Sequence, residues 1–249
     1  MKQQTLSSSA YHAFGTLGLL SVLLLWQIAS YWIAEGFFQQ FALATTLSKL
    51  VALLQDVEIY HHIAASMQRI AWALSFALVL GIPVGVLLGQ SQIADALSSQ
   101  VFQLLRMISP LSWMPIAVMV LGVGDQAIYF LLAFAAIWPI ILNTASAVRQ
   151  VDPNLLKLAH SLDATRGEIL RHIVWPSIMG QILVGLRLAL GIVWIVLVPS
   201  EMLGVSSGLG YFILDARDRL DYSELLSIIL IIGLIGYTLD RILVAVQRH

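Results

Sequence analysis

The sequence has no cysteine. That excludes disulfides, a thiol nucleophile and any cysteine-ligated metal. Charge is scarce too: Asp, Glu, Lys and Arg make up 11% of 249 residues, against roughly 25% in a soluble domain. A chain so poor in charge cannot build a water-facing surface. Its 13 basic and 14 acidic residues cancel to a net charge of −1, which gives no footing for nucleic acid. No His-Glu-x-x-His helix occurs, so a zinc hydrolase lacks its motif. No histidine falls in the middle of an apolar block, which removes the base of an intramembrane serine hydrolase. An enzyme is not expected.

What is present is apolar. Hydrophobic residues reach 59% and mean hydropathy is +0.87, the composition of an all-α polytopic membrane protein. A membrane helix needs about 20 mostly apolar residues. Residues 14–34, 70–89, 101–122, 127–148, 178–199 and 225–246 meet that measure, so about six transmembrane helices are expected. The third block carries Arg106 and is interrupted by Pro110 and Pro115, features tolerated in lipid only where neighbouring protein satisfies them. The first block is too long for the apolar core of a signal peptide and reads as a retained helix. Residues 35–69 mix apolar residues with Lys49, Asp56, Glu58, His61 and His62, the pattern of one or two amphipathic helices. Two divisions follow: residues 1–69, a first membrane helix with an amphipathic extracytoplasmic segment, and residues 70–249, a core of five membrane helices.

Basic residues in the loops set orientation. With the N-terminus inside, the cytoplasm receives Lys2, Arg149, Lys157, Arg166, Arg171 and Arg248, and the outside Lys49, Arg217 and Arg219. Both termini are therefore expected in the cytoplasm. Gly81, Gly85 and Gly89 repeat every fourth residue, so they share one helix face and admit a close backbone approach. That face serves packing within the subunit, a dimer contact or the lining of a pore. Pro83 on the same helix predicts a kink.

The polar stretch at residues 157–176, KLAHSLDATRGEILRHIVWP, lies between two apolar blocks. Asp152 followed by Pro153 reads as a helix N-cap with proline in the first turn. Leu155, Leu158, Ala159 and Leu162 recur at helical spacing. Asp163 ends that stripe as a turn residue, and a second helical stretch over 166–174 stops before Pro176. The product is a helix–turn–helix with an apolar stripe that nothing in the chain obviously covers.

At these residues the chain resembles the membrane-spanning subunits of bacterial ABC importers. Their loop reads Glu-Ala-Ala, three residues, Gly, nine residues, Ile-x-Leu-Pro. Here the register falls on Lys157-Leu158-Ala159, Asp163 and Ile173-Val174-Trp175-Pro176. Ala159, Ile173 and Pro176 match, whereas Lys157, Leu158, Asp163 and Trp175 depart from the pattern. The Gly-to-Asp change bears on the tightness of the turn, and Lys157 on the docking contacts. Residues 108–144 and 185–220, with RLALG, EML and GLGY within the latter, resemble the nitrate/sulfonate/taurine branch.

The resemblance implies a type I ABC importer permease in the bacterial inner membrane. It implies a pathway formed with a second permease copy, ATP-binding cassette subunits docked on the loop at 149–176, and an extracytoplasmic solute-binding protein. It also implies that ATP and Mg are bound by the partner ATPase, with no cofactor in this chain and a small polar anion as solute. Lys157, Leu158, Ala159, Leu162, Asp163, Ile173 and Pro176 would carry the coupling.

Arg187 lies eleven residues beyond Pro176, about 16 Å along a helix, and should face protein or water. It attracts an anion in the pathway or pairs with a carboxylate. Glu201 gates the pathway, touches the binding protein or is an ordinary helix-end carboxylate. The run at 215–221, DARDRLD, is a solvated face or a docking surface. Adjacent His61 and His62 diverge on a helix, so joint metal ligation is not expected, and SSGLG at 206–210 lacks the lysine of a phosphate loop. A self-contained secondary transporter or channel is the competing reading; it would carry an internal inverted repeat, and none is evident.

Overall fold

The computed structural model describes residues 8–32 and 40–247, and all regular structure among them is helical. The polar start of the chain, the end of the first apolar block and Arg248 lie outside the described residues. The helices are α1 (Ser8–Trp32), α2 (Leu43–Gln55), α3 (Val57–Gln90), α4 (Gln92–Met107), α5 (Met114–Leu121), α6 (Asp125–Arg149), α7 (Pro153–Ser161), α8 (Arg166–Ile169), α9 (Trp175–Glu201), α10 (Leu209–Asp218) and α11 (Tyr222–Gln247). The chain divides into two compact units: residues 1–59 with 213–231, and residues 60–212 with 232–249.

Four helices are long and apolar enough to cross a membrane: Val57–Gln90, Asp125–Arg149, Gly167–Glu201 and Tyr222–Gln247. Two sequence expectations need correction. Residues 101–122 do not form one straight span. The segment breaks into Gln92–Met107 and Pro110–Leu121, bent by 88°. Ile108 and Ser109 leave the helical region, at ψ 125° and 130°; Ser109 does so because a residue before proline is driven out of it. Counting the bent pair as one span gives five among the described residues. The apolar part of α1, Phe14–Ser30, stands beside them as a shorter apolar helix.

The helix after α7 does not stop before Pro176 either. Residues 167–201 run as one helical element, with a π turn at Leu170–Val174 leading into α9. The Trp175 N–H bonds to the Leu170 carbonyl, one residue further back than in an α-helix. The widened turn accommodates the ring of Pro176 in the first turn of α9. Likewise α3 continues unbroken through Pro83.

In the larger unit, α3 packs on α6 through its glycines. A Cβ on Gly81 would lie 2.9 Å from Ile140 Cγ2, one on Gly85 2.6 Å from Thr144 Cβ, and one on Gly89 2.5 Å from Val148 Cβ. Both helices advance by four residues per contact and in the same direction, so α3 and α6 are parallel. Parallel neighbours require the chain between them to return across the layer, and the bent α4–α5 pair makes that return. Helix α9 runs antiparallel to α6: Ile128 and Leu132 cluster with Val193 and Leu197, and Ala147 and Val148 with Ile178 and Ile182.

In the smaller unit, Trp26 Nε1 donates to the Phe41 carbonyl at 3.0 Å and Ser227 Oγ to the Thr46 carbonyl at 2.8 Å. Lys49 meets Asp221 at 2.8 Å and Glu224 at 2.9 Å. Arg219 bridges Asp215 at 2.9 Å and Glu224 at 2.6 Å. Asp215, Arg219 and Asp221 of the alternating run at 215–221 are thus tied into an ion-pair network, while residues 217–220 stay exposed.

Candidate functional site

The loop between α6 and α9 is fixed by local chemistry at every turn. Asp152 accepts the Asn154 N–H on its side chain at 2.8 Å and the Leu155 N–H on its carbonyl at 3.1 Å, the N-cap expected there. Helix α7 ends as the Ala164 N–H reaches back to the Ala159 carbonyl at 3.1 Å, with Asp163 at φ +53° between them. This is a Schellman stop. Asp163 takes the left-handed conformation that glycine would take without cost, so the turn survives the departure from the family residue. Helix α8 then opens on a reciprocal capping box: the Thr165 N–H donates to Glu168 Oε2 at 2.8 Å and the Glu168 N–H to Thr165 Oγ1 at 3.4 Å. The spacing of Thr165 and Glu168 carries that signal in the sequence, although the expectations above do not use it.

The loop has two faces. Leu156, Ile169 and Ile173 pack against Ala147, Val148, Val151 and Ile178, and Ala159 is buried. Outward stand Leu155, Leu158 and Leu162, at 45%, 57% and 72% exposure. Lys157, Asp163 and Pro176 are exposed beside them. Of the predicted coupling residues, Ala159 and Ile173 therefore hold the loop onto the spans, and the others form its outer surface. A cavity of about 820 Å³ lies behind the loop, reached by Asp95, Arg149, Pro153 and Leu156.

A second constellation is buried where α3, the end of α9 and the start of α10 meet. Arg69, 2% exposed, pairs with fully buried Glu201 at 2.6 Å. Its other nitrogens reach Asp125 Oδ1, at 2.8 Å from Nε and 2.7 Å from Nη2, and it also donates to the Ser207 carbonyl at 2.8 Å. Ser66 Oγ donates to the Glu201 carboxylate at 2.8 Å and accepts the Leu209 N–H at 2.9 Å. The Gly210 N–H donates to Glu201 Oε2 at 2.9 Å. His62 Nδ1 accepts the Gly208 N–H at 3.1 Å, which puts the proton of a neutral imidazole on Nε2.

The glycines of residues 206–210 are required here. Gly208 sits at φ +112°, and a Cβ on it would collide with Arg69 and Glu201; one on Gly210 would collide with the Val198 carbonyl. Three consecutive N–H groups at the start of α10 thus point at acceptors from α3 and α9. A carboxylate at a helix N-terminus is favourable, and each polar atom of the pair finds a partner. The chemistry is that of a fixed joint. Residues 204–208 read GVSSG, the bare Gly-x-Ser-x-Gly spacing, but they join two helices where a nucleophile elbow joins strand to helix.

Glu201 faces side chains and backbone in this arrangement, not open space. Sequence reasoning missed Arg69 and Ser66 altogether. Their signal was periodic: His62, Ser66, Arg69, Ala73 and Ala77 are all buried and recur at steps of three and four on α3. Arg187 lies elsewhere, with Nε 2.6 Å from Asp240 Oδ1 and Nη2 3.0 Å from Oδ2. That fork leaves the two side chains 42% and 45% exposed at membrane depth. Gly81, Gly85 and Gly89 face α6 of the same chain. Among the described residues no cluster of His, Asp and Glu suits a metal ion.

Comparison with known proteins places these features. Residues 81–249 match the family described as binding-protein-dependent transport system inner membrane component. The bicarbonate transport system permease protein CmpB of Synechococcus elongatus is 33% identical over 241 residues, covering 93% of this chain and 86% of its own. The taurine transport system permease protein TauC of Escherichia coli is 31% identical over 245 residues, covering 94% and 87%. The nitrate import permease protein NrtB of a Synechocystis strain is 35% identical over 179 residues, covering 72% and 65%. Among solved structures, an inward-facing form of the MetNI methionine ABC transporter superposes with a TM-score of 0.59 at 19% identity, covering 76% of this chain and 95% of that one.

Proposed function

The chain belongs to the binding-protein-dependent transport system inner membrane components, the permease subunits of ABC importers, and from that premise we propose what it passes and how it is driven. The solute is a small polar anion of the kind named for its relatives: bicarbonate, nitrate or the sulfonate of taurine. ATP is bound by a separate ATPase subunit. The permease works as a homodimer with the pathway between the two copies and receives solute from an extracytoplasmic binding protein. Residues 70–249 form the permease core, residues 1–69 an N-terminal addition, and both termini lie in the cytoplasm.

The observation that carries this reading is the outer surface of α7. Leu155, Leu158 and Leu162 stand exposed on a helix whose two ends are locked by Asp152 and by the Asp163 turn. An exposed leucine ridge on a rigid loop needs a cover, and the groove of an ATPase subunit is the cover the family provides. Lys157 and Asp163 flank the ridge and set its polar contacts. The mid-span pair Arg187–Asp240 supports the shared pathway, because half-exposed charges at membrane depth must meet protein or water.

Co-expression with the neighbouring ATPase gene tests the coupling. The wild-type chain should bring the ATPase through purification in mild detergent. Leu158→Ser with Leu162→Ser should lose it while the permease remains folded. Retention of the ATPase by the double variant would remove α7 as the contact.

A further inference from the structure

We propose that the cleft at the elbow between α4 and α5 is a subsite for a small oxyanion in transit, held by Arg106; this rests on the reading of the chain as an anion importer. The cleft has a volume of about 410 Å³, and its walls include Arg106, Trp138, Asn143, Leu188 and Ile192. An oxyanion of four or five heavy atoms needs a few times the ~30 Å³ of one water. The cleft therefore admits such an ion together with part of its hydration.

Arg106 is the arginine of this cleft. Arg69, Arg149 and Arg187 of the same unit each hold a carboxylate, at 2.6, 3.0 and 2.6 Å. Among the described residues Arg106, like Arg171 and Arg241 outside the cleft, holds none within the 4.0 Å of an ion pair. It lies in the last turn of α4, four residues before Pro110, where the helix path breaks. Its neighbours in the cleft lie deep. Asn143 and Trp138 precede Arg149, the last residue of α6, by six and eleven residues, or about 9 and 16 Å. Arg106 is itself exposed, so its guanidinium, without a counter-ion beside these residues, is open to a mobile anion.

Trp138 is wedged between Phe102 and Phe134, each with its ring centroid 5.4 Å away, and its Nε1–H is buried without an acceptor. The Asn143 amide gives one hydrogen to the Pro139 carbonyl at 2.8 Å and retains a second. Guanidinium and amide both donate, as an oxyanion's lone pairs require.

The cleft is also a junction. Leu188 and Ile192 belong as well to the wall of a cleft of about 460 Å³ that carries Arg187 and Asp240. Arg106 further lines a cavity of about 160 Å³ reaching Asp95 and Arg149. An ion held at Arg106 thus stands between an ion pair at mid-span and another at the loop end of α6. A phospholipid phosphate offers the same chemistry, and the test separates the two sources.

The test is ATP-driven uptake of nitrate, bicarbonate and taurine by the complete importer, with its ATPase and binding protein. Vesicles of phosphate-free digalactosyl diacylglycerol alone are compared with vesicles containing phosphatidylglycerol. Wild type should import at least one of the three. Arg106→Gln should lower that uptake about tenfold or more in both vesicle types, as expected for loss of a charged hydrogen-bond donor, while the amount of assembled complex holds. Arg106→Lys should recover most of the rate, a rescue by charge that a packing role does not give. Equal uptake by wild type and Arg106→Gln overturns the subsite and leaves the anion importer standing. A loss that appears in only one vesicle type assigns Arg106 to lipid phosphate and also overturns it. If wild type imports none of the three, the anion reading fails and the subsite falls with it.

Discussion

Arg69 and Glu201 meet at 2.6 Å across 132 residues of chain, with their side chains 3% and 0% exposed. One sits on α3 and the other is the last residue of α9, so the pair fastens two spans at one end. The start of α10 is bound to the same carboxylate through Gly210.

Breaking this pair should be costly. Arg69→Ala leaves the buried Glu201 carboxylate uncompensated and should destabilise the purified permease by about 3–5 kcal/mol, while Glu201→Ala, with Asp125 still holding Arg69, should cost less. The double variant should lose clearly less than the sum, because neither charge is then stranded. Thermal unfolding in detergent, run as a double-mutant cycle, gives the coupling.

Asp163 makes a finer prediction. At φ +53° an L-residue is strained, by about 1–2 kcal/mol for an ordinary side chain. Asp163→Gly should leave the protein as stable or raise it by up to about 1 kcal/mol. Asp163→Val should lower stability and weaken ATPase retention, because the Schellman turn sets where the leucine ridge points. Melting and co-purification of the two variants check both statements.

Gly85 tests the packing of α3 on α6. Its added Cβ would sit 2.6 Å from Thr144 Cβ and 2.8 Å from the Ile141 carbonyl, so α3 must move off α6 to admit even alanine. Gly85→Ala should cost about 1–3 kcal/mol, and Gly85→Leu should prevent accumulation in the membrane. Ser98→Ala, on another helix, should do neither. Quantitative blotting of membrane fractions distinguishes them.

The Lys49 network predicts a pH dependence. Hydrogen bonds to Asp221 and Glu224 raise the Lys49 ammonium above its ordinary value against the pull of burial. Burial pushes Asp221 up, but the hydrogen bonds from Lys49 and from the Glu224 backbone outweigh it and hold the carboxyl below its usual range. The Asp221 contribution is full above its unfolded value of about 3.9 and fades as pH falls through the lower folded value. The Lys49 contribution is full below about 10.4 and fades as pH rises through the raised one. The melting temperature should therefore be flat between about pH 5 and 9. Asp221→Asn should flatten the acid limb and Lys49→Met the alkaline one.

The features legible in the sequence were those written by neighbouring residues. Asp152 with Pro153 starts α7, Asp163 stops it, and the proline pair at 110 and 115 marks the damaged third block, because caps and breakers act within one helical turn. The 88° elbow at 108–109 was not legible, since the sequence says where a helix breaks and not where it goes next. Nor was the onward run of the helix through Pro176, which depends on a π turn that no local residue announces. The Arg69–Glu201 joint was hidden by distance. Arg69 precedes an apolar block and so reads as a boundary cation, and only the fold brings its partner to it. Asp240, near the end of an apolar block, likewise looks like an interfacial charge in the sequence, although it is the partner of Arg187.

The most direct measurement of the central claim is ATP-driven solute uptake by the reconstituted importer, with the α7 ridge intact or with Leu158→Ser and Leu162→Ser. Wild type should retain the ATPase and import the anion. The double variant should keep a folded permease, lose the ATPase and import nothing. Solute movement by the purified chain alone, without ATPase or ATP and unaffected by the ridge variant, would contradict the account and make the protein a self-contained transporter.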